Sequence, residues 1–407
     1  MKHFSTSLAL CLLSVLCATA QISDIDKYHR SSLYSILLKH PEKEFCDEMV
    51  TAFKSIPIPD KYNDHTLKIN IMPSPVLQSL SNDEREGAFK ESITKLLEKN
   101  KIGRRVVEKW FNRDRKSGCF DMNLVAERGY YDATVQDVKK ALATVRGTAM
   151  LADAGEELIN HTYILVNDIR YADKELTKSI INGALGLASV AGSFFGVPLS
   201  LVTAAGGELT GKIAGFKVLV TSYLYKLEWD EETAMSFYND FYMDDTSADD
   251  VRKNAFEASA LFRLKYIGSA TVFSGQTSLA GVKEEKDMFL KVCTRAVDKS
   301  IAELQKSFDE FKVKAPLVTT NPLTAYIGQK EGMTEDSRYE VLEKSMTPDG
   351  RTIYERVGII KPIKGQIWDN RYMAIDDKFE GSELSYTTFQ KVSGSDFAPG
   401  MLIREIK

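Results

Sequence analysis

Cysteine and histidine are scarce in this chain of 407 residues, which has five of each. No C-x-x-C occurs, so a zinc knuckle or a thioredoxin-type redox pair lacks its spacing. No two histidines stand at i, i+4, which removes the H-E-x-x-H route to a metal. An excess of one charge is missing too. The 53 Lys and Arg residues face 57 Asp and Glu, a net charge of −4. A nucleic-acid binder needs a basic face, so nucleic acid is not an expected partner. Internal repeats and low-complexity tracts are absent.

What is present begins with an export signal. Met1-Lys2-His3 is basic, Phe4 to Cys17 is apolar, and Ala18-Thr19-Ala20 precedes Gln21 as a small-x-small cleavage site. Residues 1–20 are therefore expected to be a signal peptide. The apolar run is too short for a permanent anchor. Lipid attachment at Cys17 would need a small residue just before the cysteine, and Leu16 stands there. The expected location is the periplasm, the outer-membrane periphery or the exterior. Cys46, Cys119 and Cys293 would remain, either as three buried thiols or as one disulfide and one thiol.

The length suggests more than one domain. Residues 21–316 read as an α+β or α/β body, a mixed sheet with flanking helices. Ser31 to Leu38 reads as a strand. Pro41 opens a helix whose Phe45, Cys46, Met49, Val50 and Phe53 form one stripe, stopped by Ile56-Pro57-Ile58-Pro59. A second helix starts near Asn82, breaks at Gly103 and resumes through Val106, Val107 and Trp110. Phe120, Met122, Leu124 and Ala126 alternate like a strand. Asp132 and Thr134 then cap a helix, and Tyr163 to Val166 forms the parallel partner of that strand. Phe216 to Trp229 is apolar on both faces, as a central covered strand should be. A further strand lies near 264–273, and residues 284–311 read as a long amphipathic helix.

At Ala315-Pro316 the periodicity changes, and residues 317–407 read as a small all-β barrel or sandwich. Tyr339 to Leu342 and Ile353 to Val357 flank a hairpin turn at Thr347-Pro348-Asp349-Gly350. Gln366 to Trp368, Thr387 to Phe389 and Gly400 to Arg404 supply more strands. The runs Ile327-Gly328-Gln329-Lys330-Glu331-Gly332-Met333, Asp336 to Val341 and Val357-Gly358-Ile359-Ile360 resemble the SH3-like barrels that close some periplasmic proteins, the flagellar T-ring protein among them. The preceding α/β block resembles the corresponding domains of that protein and of the curli secretion channel. The barrel resemblance covers about a quarter of the chain, and the likeness implies an envelope scaffold. Asp336-Ser337 stands where that family usually has Gly-Asp.

Between Ser179 and Gly207 no residue is charged. Ala184, Ala188, Gly192 and Gly196 recur every four residues, and in a helix they would form one smooth stripe that lets another backbone approach. Pro198 would end that helix, so a helical hairpin over about 173–214 is expected. From Ile180 to Gly207, six glycines and five alanines equal the eleven Ile, Leu, Val and Phe residues. Such a composition partitions only marginally into a bilayer, at about 0.3–0.6 kcal/mol for each strong apolar residue. Packing, self-association and membrane contact all stay open. Gly206, Gly211 and Lys212 imitate a phosphate-binding loop, but Ile213 replaces its hydroxyl and a strand follows. No nucleotide is expected.

The densest polar cluster is Pro59-Asp60-Lys61-Tyr62-Asn63-Asp64-His65. Asp60, Asp64 and His65 could serve a hydrolase or a metal, although the composition also fits a surface loop. Phe120-Asp121, Glu127-Arg128 and Asp132 fall where α/β proteins often bind ligands. Asn160-His161-Thr162 matches a glycosylation sequon. The expected function is a non-enzymatic exported scaffold, without metal or cofactor, that assembles with envelope proteins or with itself. The alternatives are a secreted hydrolase using Asp60, Asp64 and His65, and a membrane-inserting effector.

Overall fold

The structure, a computed structural model, describes residues 31–75, 82–132, 156–171, 215–277, 285–346, 352–374, 384–394 and 396–406. The chain divides into one unit over Ser31–Phe308 and another that includes Asp309–Lys407. Residues 1–20, expected to be a signal peptide, and residues 172–214 and 347–350, expected as a helical hairpin and a turn, lie outside the described residues.

The first unit is built on a mixed sheet. β1 (Ser31–Lys39) pairs in parallel with β2 (Tyr62–Asp64) and β3 (Ile71–Pro73) on one edge and with β4 (Thr162–Tyr171) on the other. β4 then runs antiparallel to β5 (Gly215–Leu227), and β5 to β6 (Leu264–Thr277). β5 is thus an interior strand. Val218, Val220 and Leu224 are buried on one face and Tyr223, Tyr225 and Leu227 on the other, as the two apolar faces of its sequence require.

Helices cover both faces. On one lie α1 (Cys46–Ser55) and α7 (Glu285–Ser307). On the other lie α2 (Asn82–Lys99), α3 (Ile102–Trp110) and α4 (Asn123–Asp132). Beside them, α5 (Glu231–Ser236), a π turn at Phe237–Phe241 and α6 (Asp250–Ala258) contribute Phe237, Phe256 and neighbouring aromatics. Aromatic edges and faces meet there, with Phe111 and Phe237 ring centroids 4.4 Å apart.

Three local expectations are corrected. Pro41 does not open α1: residues 41–45 turn, and the helix starts at Cys46 after Phe45 takes a left-handed φ of 58°. Phe120 to Ala126 is not a strand. The Phe120 amide is held by the Met243 carbonyl at 2.8 Å, and Asp121 accepts from the Asn123 amide, which starts α4 instead. A short alternation of apolar residues suits either geometry, and tertiary contacts choose. The parallel partner of β4 is consequently β1. Helix capping at Thr134 and beyond lies outside the described residues.

Gly103 is the third. The break between α2 and α3 falls at Asn100-Lys101, where Lys101 has φ 52°. Gly103 sits inside α3 because a Cβ there would stand 2.2 Å from the Phe262 carbonyl oxygen. The backbone opposite cannot yield as a side chain would. Gly103→Ala should lower the unfolding free energy by about 3 kcal/mol, the upper range for overpacking. A urea titration showing under about 0.5 kcal/mol would mean that this contact opens without cost.

The second unit is a closed six-stranded antiparallel barrel. Its strands are β7 (Ala315–Thr320), β8 (Leu323–Ala325), β9 (Arg338–Met346), β10 (Thr352–Pro362), β11 (Thr387–Gly394) and β12 (Leu402–Ile406). Leu317, Tyr339, Val341, Ile360, Phe389 and Ile403 fill it. Closure removes free sheet edges, which a short all-β domain must otherwise protect. The outward-facing Glu340 accepts from Arg356 Nε at 2.6 Å and Arg404 Nε at 2.7 Å, tying three strands together. Burial opposes its charge, but the two arginines prevail and hold the carboxyl below the usual glutamate range. Gln366 to Trp368, expected as a strand, is a loop. Trp368 donates its amide to Thr387 Oγ1 and accepts from Gln329.

Candidate functional site

Polar side chains converge at two places in the sheet unit. The first is at the start of β1. Arg128 of α4 is buried, with one guanidinium nitrogen 2.9 Å from both Ser32 Oγ and His65 Nδ1 and the other 3.2 Å from the Asp64 carbonyl. Its plane lies 4.3 Å over the Trp110 ring. Trp110 in turn donates to Thr162 Oγ1 at 2.8 Å. Because Arg128 can only donate, His65 Nδ1 accepts and its proton sits on Nε2, which donates to the Val106 carbonyl at 2.9 Å. Burial, then the Arg128 charge, push His65 well below the usual histidine range. It is a neutral, fully committed imidazole. Arg128 meets only neutral acceptors, and burial pushes it down to about 10.

That geometry decides the fate of Asp60, Asp64 and His65. The two carboxylates are exposed and the imidazole is buried with both nitrogens engaged. Asp64 Oδ1 accepts from the Thr66 amide at 2.7 Å, an Asx turn. The structure does not bring the three together. Among the described residues no group of three His, Cys, Asp or Glu could hold a metal. Thr162 of the sequon is buried in the Trp110 contact.

The second convergence lies at the other end of the parallel pair, where β1 and β4 finish. His40 Nε2 is 2.6 Å from Asp168 Oδ1, and Arg170 Nε reaches both carboxylate oxygens at 3.1 and 3.0 Å. Burial opposes the Asp168 charge. The His40 hydrogen bond and the Arg170 guanidinium outweigh it and hold the carboxyl below the usual aspartate range. A His–Asp pair invites a catalytic reading. Here His40 Nδ1 also stands 3.5 Å from Glu42 Oε1, so both ring nitrogens face carboxylates. Its chemistry is that of a clasp.

Between the two, Asn167 Nδ2 donates to Ser35 Oγ at 2.9 Å, and its Oδ1 accepts from Ser222 Oγ at 2.7 Å. Ser300 of α7 completes the line, 2.7 Å from Ser222. This polar line crosses β1, β4 and β5 inside an apolar face and fixes their register.

Cys46 is half-buried, Cys119 and Cys293 are buried, and all three are free thiols. Burial pushes Cys293 up to about 12. Two openings accompany β1 on its α1 face. One of about 20 Å³ is lined by His40 and Cys46; the other, of about 250 Å³, is lined by Leu33, Ser35 and Phe53 among others. The first has room for little more than a water.

Reading the sequence alone misses His40, Asp168 and Arg170. One signal was available: Asn167-Asp168 interrupts the apolar strand Tyr163 to Ile169, and a carboxylate in such a strand needs a partner. The small-residue stripe Ala184, Ala188, Gly192 and Gly196 lies outside the described residues, as does the phosphate-loop imitation at 206–213. Among the described residues no helix is long and apolar enough to cross a membrane.

No protein-family model matches this chain, and no relative emerges among the curated proteins.

Proposed function

We propose that this protein is an exported, non-enzymatic scaffold of the cell envelope that self-associates or touches a membrane through residues 180–207. The observation that carries the reading is the pairing of β4 with β5. These strands are antiparallel neighbours in the middle of the sheet, in register up to Tyr171 and Val218. Two residues suffice to join such a pair. The chain instead spends residues 172–214 there, and from 179 to 207 they carry no charge. An excursion rooted on two adjacent, well-paired strands is suited to carrying an interaction surface. The C-terminal barrel, read as SH3-like, would be the docking module of the same scaffold.

The hydrolase reading lacks support, because His65 has no free nitrogen and its acidic neighbours point to solvent. Replacing residues 173–214 with Asn-Gly tests the proposal. The shortened chain should unfold as cooperatively as the parent and run as a monomer. The parent should elute as an oligomer or float with lipid vesicles. Flotation that inserts rather than adsorbs would identify a membrane-inserting effector. A parent that is monomeric, ignores vesicles and matches the shortened chain in both assays would sink the proposal.

A further inference from the structure

β1 is left unpaired for a short distance along one edge. β2 pairs with Ser31 to Leu33 and β3 with Leu37 to Lys39, so the β1 edge at 34–36 has no strand beside it. Odd residues of β1 aim their main-chain groups at that edge: Leu33 accepts from the His65 amide at 2.9 Å, and the Leu37 amide donates to Asn70 at 2.8 Å. Ser35 lies between them. Among the described residues no main-chain group meets its N–H or its C=O.

The gap is held open by its surroundings. Residues 65–70 take one residue more than β1 does between the Leu33 and Leu37 bonds, so they arch beside Ser35 after the Asx turn at Asp64. The Tyr34 hydroxyl pins the arch by donating to the Ile69 carbonyl. Ser35 also lines the opening of about 250 Å³, where apolar Leu33, Phe53, Ile58, Val297 and Ile301 stand with polar Lys54, Asp64, Thr66 and Asn70.

We propose that this cavity binds a blocked apolar amino-acid residue: a molecule offering one amide N–H, one amide C=O and a branched apolar side chain between them. An antiparallel hydrogen-bonded pair exchanges both bonds between the same two residues, and their side chains project to the same face. Ser35 donates its N–H to the ligand carbonyl and accepts from the ligand N–H. The ligand side chain then points, as Ser35 does, toward α1 and α7, into the wall formed by Leu33, Phe53, Val297 and Ile301. This reading is independent of residues 180–207.

N-acetyl-L-leucine N-methylamide is the probe, titrated against the full chain while the Ser35 amide resonance is followed. A saturable shift at about millimolar concentration is expected for so small a ligand. The isostere with oxygen in place of the leucine N–H should bind about tenfold more weakly, the worth of one hydrogen bond. Val297→Phe, which fills the cavity, should abolish the shift; if that variant does not fold, Ile58→Trp at the half-buried mouth replaces it. A blocked Ala-Ala-Leu-Ala-Ala peptide separates the sources: tighter binding than the single residue assigns the cavity to an extended peptide, and weaker binding assigns it to a free acyl amino acid. No saturation by about 20 mM, equal binding of the isostere, or a shift that survives cavity filling would each overturn the proposal.

Discussion

Arg128→Ala should cost the sheet unit about 3–5 kcal/mol of stability in a urea titration. Among the described residues the guanidinium is the only donor to His65 Nδ1, and it also serves Ser32 Oγ and the Asp64 carbonyl. Truncation takes this donor from the buried Ser32 Oγ and His65 Nδ1, at about 1–3 kcal/mol each, and opens a void beside Trp110, while the Asp64 carbonyl keeps Lys109 Nζ at 3.3 Å. Arg128→Met separates the causes. It refills the volume and removes a buried charge that has no carboxylate in contact among the described residues, so part of the loss should return. The rest should follow His65, which regains no donor. Pairing Arg128→Met with His65→Phe should then recover more than Arg128→Met alone. If Arg128→Ala costs under about 1 kcal/mol, this network is not what joins β1, α3, α4 and β4.

The second large effect is electrostatic and depends on pH. Asp168→Asn should destabilise the chain by about 3 kcal/mol at neutral pH, the lower range for breaking a buried pair. The sign follows from the direction of the shift. Held below its unfolded value of about 3.9, the Asp168 carboxyl adds stability above that pH and gives it up as pH falls through its lower folded value. The difference between parent and variant should therefore be constant near neutrality and shrink below about pH 4. Stability measured by denaturant at several pH values checks this. Parallel curves through the acid range would show that His40 and Arg170 do not stabilise the charged form. Since the clasp ties the end of β1 to β4 just before residue 172, its loss should also loosen the root of the excursion. Faster amide exchange at Ile169 and Arg170 would report that loosening.

Much of the fold was legible because hydrophobic period is a local property. β1, β4, β5, β6 and α7 follow from apolar runs long enough to have one period, and the two apolar faces of β5 announced its interior place. The change at Ala315 coincides with the first barrel strand. Misreadings fell where the pattern was short or the deciding contact distant. Phe120 to Ala126 offers only four alternating positions, and the Met243 carbonyl that holds Phe120 lies far along the chain. Gly103 looked like a break because glycine usually punctuates helices; its actual reason is a carbonyl on Phe262. His65 stood in a polar, turn-like segment, and nothing local said that its ring turns inward to an arginine on α4.

By itself the sequence determined which segments are apolar, their period and the uncharged passage between β4 and β5. Those are properties of neighbours, and burial of apolar surface rewards them wherever the chain folds. The tertiary structure alone decided which polar groups meet: Arg128 with His65, His40 with Asp168, and Ser35 left facing a cavity. Hydrogen bonds and ion pairs act over a few ångströms between residues far apart in sequence, so their partners exist only once the sheet has assembled.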